Sequence, residues 1–485
     1  MLPLRWILLT LFFVAALCGP ALAHQETEVS GDKALAHVEF LVGVGPRFAG
    51  TPGEAAAASY IENEFRSYGL DVWVENFIVE NSYLVEENYL SVVQPIQIDL
   101  KCIPVIYSPS DNVLGKLIHL TDGIENENLL RESVVLIDRG KLGGLRQELE
   151  DLPPLAILTY FDNMPPWSEI WQNPPKVPTV WISDSDAQGL IELLGQGQVE
   201  VELRLTASTE PRTSYNVVAY LPGESDEIIV VNAHHDSMLT PGAVDDASGV
   251  AIVLEIARAL CTETLQRTVL FVTFSGEELG LFGSTDFVNR HKDNKIVASI
   301  TFDCIGAGPD NGLRVGLEDS QYATTPWLDA YVKEIAENIG FNDVQSEDLY
   351  TIGGYTDHVS FTGADIPATW IYWVNPESED ILGPIHTLGD NLDAIDNVRL
   401  QQVAGLGVEV VRQLAGEDIS AWRRAFEFPI RAAIFTVIDM SAVVISIGAC
   451  SFIHYKKGWP WRKTLWIFSL VVGVTAVVAY ALLLL

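Results

Sequence analysis

The sequence predicts an α/β fold in which a mostly parallel central sheet is flanked by helices on both faces. Apolar runs such as EIIVVNA and TVLFVTF are hydrophobic without interruption, which is typical of strands buried on both sides. They alternate with segments of helical spacing, such as SGVAIVLEIARAL, which begins at Ser248. This alternation indicates parallel strands joined by crossover helices, and sites in such sheets gather beyond the carboxyl ends of the strands.

The remaining elements of this domain follow in order. AAAASYIENEFRSYGL has helical spacing and ends at Gly69, a natural C-cap, and DVWVENFIV then has the pattern of a strand. IVASITF and PATWIYWV add two more strands, and NVRLQQVAGLGVEVVRQLAG closes the domain as a helix. We therefore assign residues 24–97 and 207–416 to one domain.

Residues 98–206 differ in sequence pattern from the segments on either side and predict a small, β-rich inserted domain. Short β-rich runs are separated by turns, and the segment has no cluster of histidine, aspartate and glutamate. The runs are SVVLIDR, LAILTYF, VPTVWIS and VEVELRL. We expect no catalytic chemistry from this insert.

Residues 1–23 have the features of a signal peptide. Arg5 precedes an apolar run, Trp6 to Cys18, and Ala21-Leu22-Ala23 fits a small-x-small cleavage site. The run is shorter than the roughly 20 residues that cross a bilayer. An uncleaved anchor is the alternative interpretation.

Two apolar segments near the C-terminus predict transmembrane helices at 430–453 and 464–485. Each contains 22 consecutive residues with at most one charge, which matches the roughly 20 residues needed. The basic loop 454–463, with its two tryptophans, suits the cytoplasmic side, and residues 417–429 form a linker. Together with the signal peptide, this predicts a multi-pass protein of the cell membrane whose folded part is extracellular.

Composition excludes several classes of partner. The 65 acidic and 29 basic residues give a net charge of -36, which disfavours nucleic acid and anionic membrane surfaces. Hydrophobic residues make up 48% of the chain, enough for a sizeable core. Five scattered cysteines without a CxxC pair argue against a disulfide framework or cysteine zinc sites, although one disulfide among Cys102, Cys261 and Cys304 stays open.

Five metal-capable side chains stand at the ends of consecutive strand–loop segments. Zinc accepts imidazole nitrogen and carboxylate oxygen, and two zinc ions need a bridging carboxylate. Asp245 could bridge, with His234 and Asp303 completing one site and Glu278 and His386 the other. The residues are His234 in NAHHDSM, Asp245 in GAVDDASG, Glu278 in FSGEELG, Asp303 in TFDCIGAG and His386 in GPIHTLGDN.

Two further residues have catalytic roles in this interpretation. Glu277 would take the proton of the hydrolytic water, and we expect it not to bind metal because neighbouring residues on extended backbone point in opposite directions. Asp236 could accept the distal N–H of the His234 imidazole and so fix its tautomer. Each motif alone is weak, since an HxD, EE or DD sequence is usually a solvated surface or a turn. Their combination in this order makes coincidence much less credible.

These motifs together resemble the di-zinc exopeptidase family of secreted leucyl-type aminopeptidases and glutamate carboxypeptidase. The similarity runs from about residue 35 to 415 and includes the opening GPRFAGTPGEAAAASYI. The resemblance implies two zinc ions per chain, held by the five residues named above, with Glu277 as general base and a cis peptide between Asp245 and Asp246. The motifs that carry it are AHHDS, DDASGVA, SGEELGLFGS, FDCIG, TDHVSF, GADIPA and IHTLGDNLD.

The insert also carries a resemblance of its own. ESVVLIDRGKLGG, LAILTYFDN and VPTVWISDSDAQGLIELL are similar to the protease-associated domain found in many exported peptidases.

Two histidines of the peptidase-like motifs receive no ligand role. We expect His235 to be neutral or to support a ligand, and His358 to support the pocket wall.

The combined interpretation is a membrane-anchored, extracellular zinc exopeptidase that hydrolyses terminal peptide bonds. An aminopeptidase is preferred, because an acidic protein suits a substrate amine better than a substrate carboxylate. The alternatives are a carboxypeptidase or dipeptidase of the same family, a glutaminyl cyclase with one zinc, and a metal-free, receptor-like binding protein. The sequence contains no pattern that indicates the preferred substrate side chain or the oligomeric state.

Overall fold

The structure, a computed structural model, describes residues 28–426 of the chain apart from positions 122, 124, 125, 319, 320, 349, 350, 352, 379, 380, 417, 421 and 425. The predicted signal peptide, both predicted transmembrane segments and the loop between them lie outside these residues. Within the described part of the chain, no helix combines the length and the apolar character needed to cross a membrane.

The described residues contain fourteen strands in one sheet, and helices between them. The strands are β1 (Asp71–Gln94), β2 (Ile98–Leu100), β3 (Cys102–Pro104), β4 (Asp111–His119), β5 (Ser133–Asp138), β6 (Ala156–Tyr160), β7 (Thr179–Ile182), β8 (Glu200–Leu221), β9 (Glu227–His234), β10 (Thr268–Phe274), β11 (Lys295–Ile305), β12 (Leu313–Leu317), β13 (Gln345–Glu347) and β14 (Ala368–Trp373). The helices are α1 (Gly31–Gly43), α2 (Pro52–Ser67), α3 (Glu127–Arg131), α4 (Arg139–Asp151), α5 (Asp184–Gln196), α6 (Ser248–Leu260), α7 (Phe282–Arg290), α8 (Pro326–Asn338), α9 (His358–Thr362) and α10 (Asn397–Gly416), with a short 3₁₀ turn Leu392–Ala394.

The predicted α/β fold with a helix-flanked central sheet is confirmed. β9 lies between β10 and β11 and is parallel to both, and β14 lies beside β11 and is parallel to it. Helix α6 packs against β9, β10 and β11, while α7 and α9 contribute Phe287 and Phe361 to a cluster with Val230 and Phe274 of the sheet. Because helices cover the sheet, the strands are apolar throughout, which is the pattern seen in the sequence.

Two strand pairings depart from the predicted parallel order. β8 pairs antiparallel with β10, and β12 pairs antiparallel with β14. The four central strands are therefore parallel, and an antiparallel pairing follows on each side of them. The central parallel strands β9, β10, β11 and β14 are the ones that lead into the candidate metal ligands.

The insert is an α/β unit, which corrects the β-rich prediction. Its strands β4 to β7 are parallel in sequence order and are accompanied by helices α3, α4 and α5. The side chains of Asn126, Asp138 and Ser183 cap these helices at their N-termini by accepting hydrogen bonds from backbone N–H groups. In the sequence, each capping residue is a single polar position close to an apolar run that has the pattern of a strand. The strand pattern therefore hid the helices.

The predicted boundary at residues 206 and 207 falls inside β8. β1 and β8 pair antiparallel along nearly their whole length, from Asp71 opposite Tyr220 to Gln94 opposite Glu200. At one end this ribbon joins β10 of the peptidase-like sheet, and at the other end it joins β4 of the insert. Two continuous strands thus belong to both parts, and residues up to 415 form one compact unit.

The C-terminal remainder, residues 416–485, is a separate unit. Of its described residues, 422–424 are helical and the ring of Trp422 stacks on that of Phe426 with centroids 5.5 Å apart. Cys102, Cys261 and Cys304 are all free thiols, which answers the question of a disulfide among them.

Candidate metal centre

All five predicted metal ligands lie at the carboxyl edge of the central parallel strands. His234 is the last residue of β9, and Asp303 lies near the end of β11. Glu278 follows β10 in a turn, and His386 lies in the loop after β14. Asp245 lies in the tight turn Ala243–Ala247 that leads from β9 into α6. The topology therefore collects residues that are far apart in sequence.

These side chains form two groups that share Asp245. His234, Asp245 and Asp303 form one group, and Asp245, Glu278 and His386 form the other, with donor atoms in each group within 4.8 Å of one another. The two oxygens of Asp245 divide between them: Oδ1 lies 3.0 Å from Nε2 of His234, and Oδ2 lies 3.2 Å from Nε2 of His386. This is the arrangement expected of a bridging carboxylate.

The chemistry of the donor atoms fits metal ions. Nε2 of His234 and Oδ1 of Asp303 are buried, and neither has a hydrogen bond of acceptable geometry within the described residues. Buried polar atoms are normally satisfied, so unsatisfied atoms on two residues of the same donor group point to a bound group. Carboxylates this close together also need positive charge between them. Nitrogen and oxygen donors in these numbers suit zinc.

The pKa values of the two ligand histidines reflect the acidic side chains that lie close to them. Burial lowers the pKa of His234, but the carboxylates of Asp303, Asp236 and Asp245 outweigh it and hold that pKa well above its usual value. His386 behaves alike: burial lowers its pKa, and Glu278 and Asp245 raise it further than burial lowers it. A cation held in each group would take the place of these protons.

Asp236 connects the ligand His234 to the segment that carries Glu277 and Glu278. Its Oδ1 lies 3.4 Å from Nδ1 of His234, on the side of the ring away from Asp245. Its two oxygens accept backbone N–H bonds from Glu277 at 3.3 Å and Glu278 at 3.4 Å. Asp236 is thus placed to orient both the turn and the imidazole, and the latter is the role expected of it from the sequence.

Glu277 lies beside the ligands, but the predicted reason for its orientation was wrong. Residues 277–280 form a turn, closed by hydrogen bonds from the N–H groups of Gly280 and Leu281 to the Glu277 carbonyl, rather than an extended strand. Burial, followed by the charges of Asp357 and Asp303, raises the pKa of Glu277 well above its usual value, while His234 opposes this. A raised pKa suits a carboxylate that must accept and then return a proton.

The loop that carries Asp245 is held by two acids to which the sequence analysis gave no role. Asp390 accepts hydrogen bonds from the N–H groups of Val244 at 2.6 Å and Asp245 at 3.3 Å. Asp246 accepts from the N–H groups of His234 at 3.2 Å and Gly249 at 2.8 Å. The peptide between Asp245 and Asp246 is cis, as the family resemblance implied. Both acids lie inside quoted motifs, DDASG and LGDN, and that position was the available signal.

Arg47, from the opening GPRFAG motif, is a second residue without a predicted role. Its guanidinium is fully buried and donates to the carbonyl oxygens of Leu41, His235, Pro241 and Gly242, at distances from 2.7 to 3.2 Å. Three of these carbonyls, those of His235, Pro241 and Gly242, lie in the loop between β9 and the bridging Asp245. Arg47 therefore ties α1 to the loop that enters the metal centre.

The two histidines without a predicted ligand role support the surroundings of the site. His235 faces Oε1 of the buried Glu54 through Nε2 at 3.3 Å and Thr273 through Nδ1 at 3.1 Å. His358 stacks on Trp370, and its Nε2 lies 2.8 Å from the carbonyl oxygen of Tyr322. Burial lowers the pKa of His358 to about 4, which makes it a neutral part of the pocket wall.

Comparison with known proteins adds an independent finding. Residues 216–411 match the model of peptidase family M28. This part of the chain is similar to the peptidases of that family. The matched range contains all five candidate ligands together with Glu277 and Asp236. The protein is a zinc metallopeptidase, as the resemblance implied.

Individual relatives extend the similarity beyond the matched range. The chain is 28% identical over 398 residues to aminopeptidase YwaD of Bacillus subtilis, covering 77% of this chain and 82% of that protein. It is 28% identical over 295 residues to the probable leucine aminopeptidase 2 of Trichophyton verrucosum, covering 56% of this chain and 58% of that protein. The solved structure of BSAP, a zinc aminopeptidase from Bacillus subtilis, superposes with a TM-score of 0.63 at 26% identity over 81% of this chain and 97% of that chain.

Proposed function

We propose that this M28 peptidase is an aminopeptidase that removes residues from the free N-terminus of peptides, using two zinc ions. The observation that carries the proposal is the pair of donor groups sharing Asp245, with Glu277 beside them. His234 and Asp303 would hold one zinc with Asp245, and Glu278 and His386 would hold the other. The named relatives, which are aminopeptidases, support this choice of reaction.

The division of labour follows from the positions of the side chains. When bound, the zinc pair supplies Lewis acidity that activates water and polarises the scissile carbonyl. Glu277 accepts the proton of the attacking water and delivers it to the nitrogen of the leaving group. Asp236 contacts both the His234 ring and the Glu277–Glu278 turn, and it thereby fixes the position of the general base relative to the metal ligands.

The charges around the site favour a substrate amine over a substrate carboxylate. A carboxypeptidase pocket needs a cation for the terminal carboxylate, usually an arginine. Arg47 is the buried cation whose charge acts on this cluster, and its donors already bind backbone carbonyls. Apart from the ligand histidines His234 and His386, the other ionisable side chains described around this cluster include the acids Asp236, Asp246, Glu277, Asp357 and Asp390.

A panel of blocked peptides tests the proposal. The purified full-length chain is loaded with zinc and its zinc content is measured. It is offered one peptide sequence in free, N-acetylated and C-amidated forms, together with free dipeptides and a peptide with an N-terminal glutamine. We expect two zinc ions per chain, cleavage of the free and amidated forms, and no cleavage of the acetylated form. Cleavage of the acetylated form from its C-terminus would establish a carboxypeptidase, and cleavage of dipeptides alone would establish a dipeptidase.

The same panel separates the remaining alternatives. An N-terminal glutamine peptide that loses ammonia without releasing an amino acid would identify a glutaminyl cyclase. Binding of peptides with no zinc and no turnover would identify a receptor-like protein. Either result would overturn the aminopeptidase proposal.

Location at the cell surface is a separate proposal. The apolar segments at 430–453 and 464–485, with the basic loop 454–463 between them, support an anchored hairpin, and residues 1–23 support export. The protease-associated likeness of residues 98–206 agrees with an exported peptidase. Membrane fractions washed with alkaline carbonate should retain the chain, and protease added to intact cells should remove residues 28–416. Release by the wash, or full protection in intact cells, would contradict this.

A further inference from the structure

A loop of the insert reaches the metal centre and pairs with the backbone around His386. The N–H of Ser168 donates to the carbonyl oxygen of His386 at 2.7 Å, and Trp167 forms an antiparallel bridge with Thr387. His386 has a left-handed backbone with φ of +57°, which a residue with a side chain adopts only when its surroundings hold it there. The insert supplies part of that support.

The side chain of Ser168 reaches the loop on the other side of the site. Its Oγ accepts the N–H of Leu239 at 3.2 Å, and Ser168 is fully buried. The neighbouring residue, Met238, donates its N–H to Oε1 of Glu278 at 3.0 Å. Ser168 is therefore connected to both Glu278 and His386, the two ligands that complete the second metal group.

Trp167 links the core of the insert to the imidazole of His386. Its indole packs on the insert's apolar cluster, which includes Trp171 and Trp181. The same ring meets His386 edge to face, with ring centroids 5.8 Å apart and an interplanar angle of 71°. With its carbonyl and its ring both contacted, His386 directs Nε2 to within 3.0 Å of Glu278 Oε2.

The first metal group is supported by other parts of the chain. His234 is flanked by Asp236 and donates its N–H to Asp246, both from the segments after β9. The carbonyl of Asp303 accepts the indole N–H of Trp370, on β14, at 3.1 Å. These supporting residues belong to the domain formed by residues 24–97 and 207–416, here called the M28 domain. The two metal groups are therefore supported by different parts of the molecule.

We propose that Trp167 and Ser168 are positioning residues through which the insert sets the zinc affinity of the Asp245–Glu278–His386 group alone. The proposal rests on the two-zinc centre of the proposed function. Groups that orient metal ligands from outside typically change metal affinity by roughly 10–100-fold when removed. The insert thus governs the occupancy of one metal position and leaves the other to the M28 domain.

Stepwise zinc binding to the full-length chain tests this. Zinc is removed by chelation and titrated back in the presence of a competing chelator, and zinc per chain is measured at each step. We expect two binding events in the wild type. Trp167→Ala and Ser168→Ala should weaken one event by roughly 10–100-fold and leave the other unchanged. Trp167→Phe keeps an aromatic edge and should bind nearly as the wild type does.

Two reference variants complete the design. His386→Ala removes a ligand of the second group and shows which event belongs to it. Leu114→Ala removes an insert side chain that is 61% exposed, and it should change neither event. Circular dichroism of the zinc-free proteins confirms the fold. Should Trp167→Ala not fold, Ser168→Ala applies the same test with the loss of a single hydroxyl.

The outcomes separate clearly. Unchanged affinities in both alanine variants, or equal weakening of the two events, would overturn the role of the insert. A wild type that binds fewer than two zinc ions would instead overturn the two-zinc centre itself. Selective weakening that matches the event lost in His386→Ala, with recovery in Trp167→Phe, would support the proposal.

Discussion

Asp390 accepts a 2.6 Å hydrogen bond from the backbone N–H of Val244, the residue directly before the bridging Asp245. Its second oxygen reaches the N–H of Asp245 itself at 3.3 Å. Burial and the charge of Asp245 raise the pKa of Asp390 to about 7, and these backbone bonds oppose the rise. The position of the bridge therefore depends on a carboxylate that binds no metal.

Asp390→Asn should loosen this loop. One N–H of the new amide would face the backbone N–H of Val244 or Asp245, so a buried donor would lose its acceptor. We expect a loss of about 1–3 kcal/mol in the free energy of unfolding, together with weaker zinc binding at both positions. Urea unfolding with and without zinc measures the two effects. Zinc binding equal to that of the wild type would contradict the assigned role.

Glu277→Gln should separate proton transfer from metal binding. The amide is nearly isosteric but cannot accept a proton, so kcat should fall by roughly 10²–10⁴-fold while the zinc content stays at the wild-type value. Glu39→Gln, on the exposed face of α1, is the matched control and should leave both unchanged. Near wild-type turnover in Glu277→Gln would remove Glu277 from the mechanism.

Asp245→Asn and Asp303→Asn should differ in the number of zinc ions lost. Asp245 offers one oxygen to each donor group, whereas Asp303 belongs to one group only. We expect Asp245→Asn to weaken both binding events by more than the roughly 10–100-fold typical of an outer contact, and Asp303→Asn to weaken one. Metal analysis after dialysis gives the ratio. Equal losses in the two variants would argue against Asp245 as the bridge.

Arg47→Lys should be as damaging as Arg47→Met, despite the retained charge. The guanidinium binds four carbonyl oxygens in a fixed fork, which an ammonium on a shorter reach cannot reproduce. We expect each variant to lose at least about 3 kcal/mol of stability. Denaturant unfolding against Arg131→Lys, an exposed position, measures the difference. Full stability in Arg47→Lys would show that charge alone matters.

His37 should make stability depend on pH. It is buried, its Nδ1 lies 2.7 Å from the hydroxyl of Tyr60, and burial lowers its pKa to about 4. Because the folded pKa lies below the unfolded value, this stabilisation is present above about pH 6.5 and is lost as pH falls toward 4. The loss should be on the order of 2 kcal/mol between pH 7 and 4.5.

The comparison that isolates this effect uses zinc-free protein. Urea unfolding of the wild type and of His37→Gln at both pH values removes metal binding from the result. The site histidines contribute equally to both proteins, so the difference in pH slope belongs to His37. Identical slopes would mean that His37 is not held neutral in the fold.

Local patterns predicted the sheet centre and the ligands because the relevant signals are short. The apolar run EIIVVNA predicts a buried strand, and His234 follows it directly. The strand and the first candidate ligand could therefore be predicted from about ten neighbouring residues. Glu277 and Glu278 were found for the same reason, although their turn was mistaken for extended backbone. The antiparallel margins were missed because strand direction depends on pairing and not on apolar character.

Long-range contacts were outside the reach of such patterns. Arg47 stood in a quoted motif, but its partners lie about 190 residues away at His235, Pro241 and Gly242. Trp167 and Ser168 lie in an insert to which the sequence gave no chemistry, and only the fold brings them to His386. The contacts missed at this stage therefore support the site from distant parts of the chain, whereas the candidate ligands and their neighbour Asp236 stand in short motifs.

The shared β1–β8 ribbon has a consequence for how the chain is made. β1 leaves the ribosome long before its partner, because the register joins Asp71 to Tyr220 and the whole insert is synthesised between the two strands. The peptidase sheet cannot close on its β8 margin until the insert has been produced, and pairing over such separations is slow. We expect nascent chains that stop before residue 221 to remain sensitive to protease along β1, whatever the state of the insert. Completion of the sheet that carries the candidate ligands thus waits for synthesis of the insert, which carries none of them.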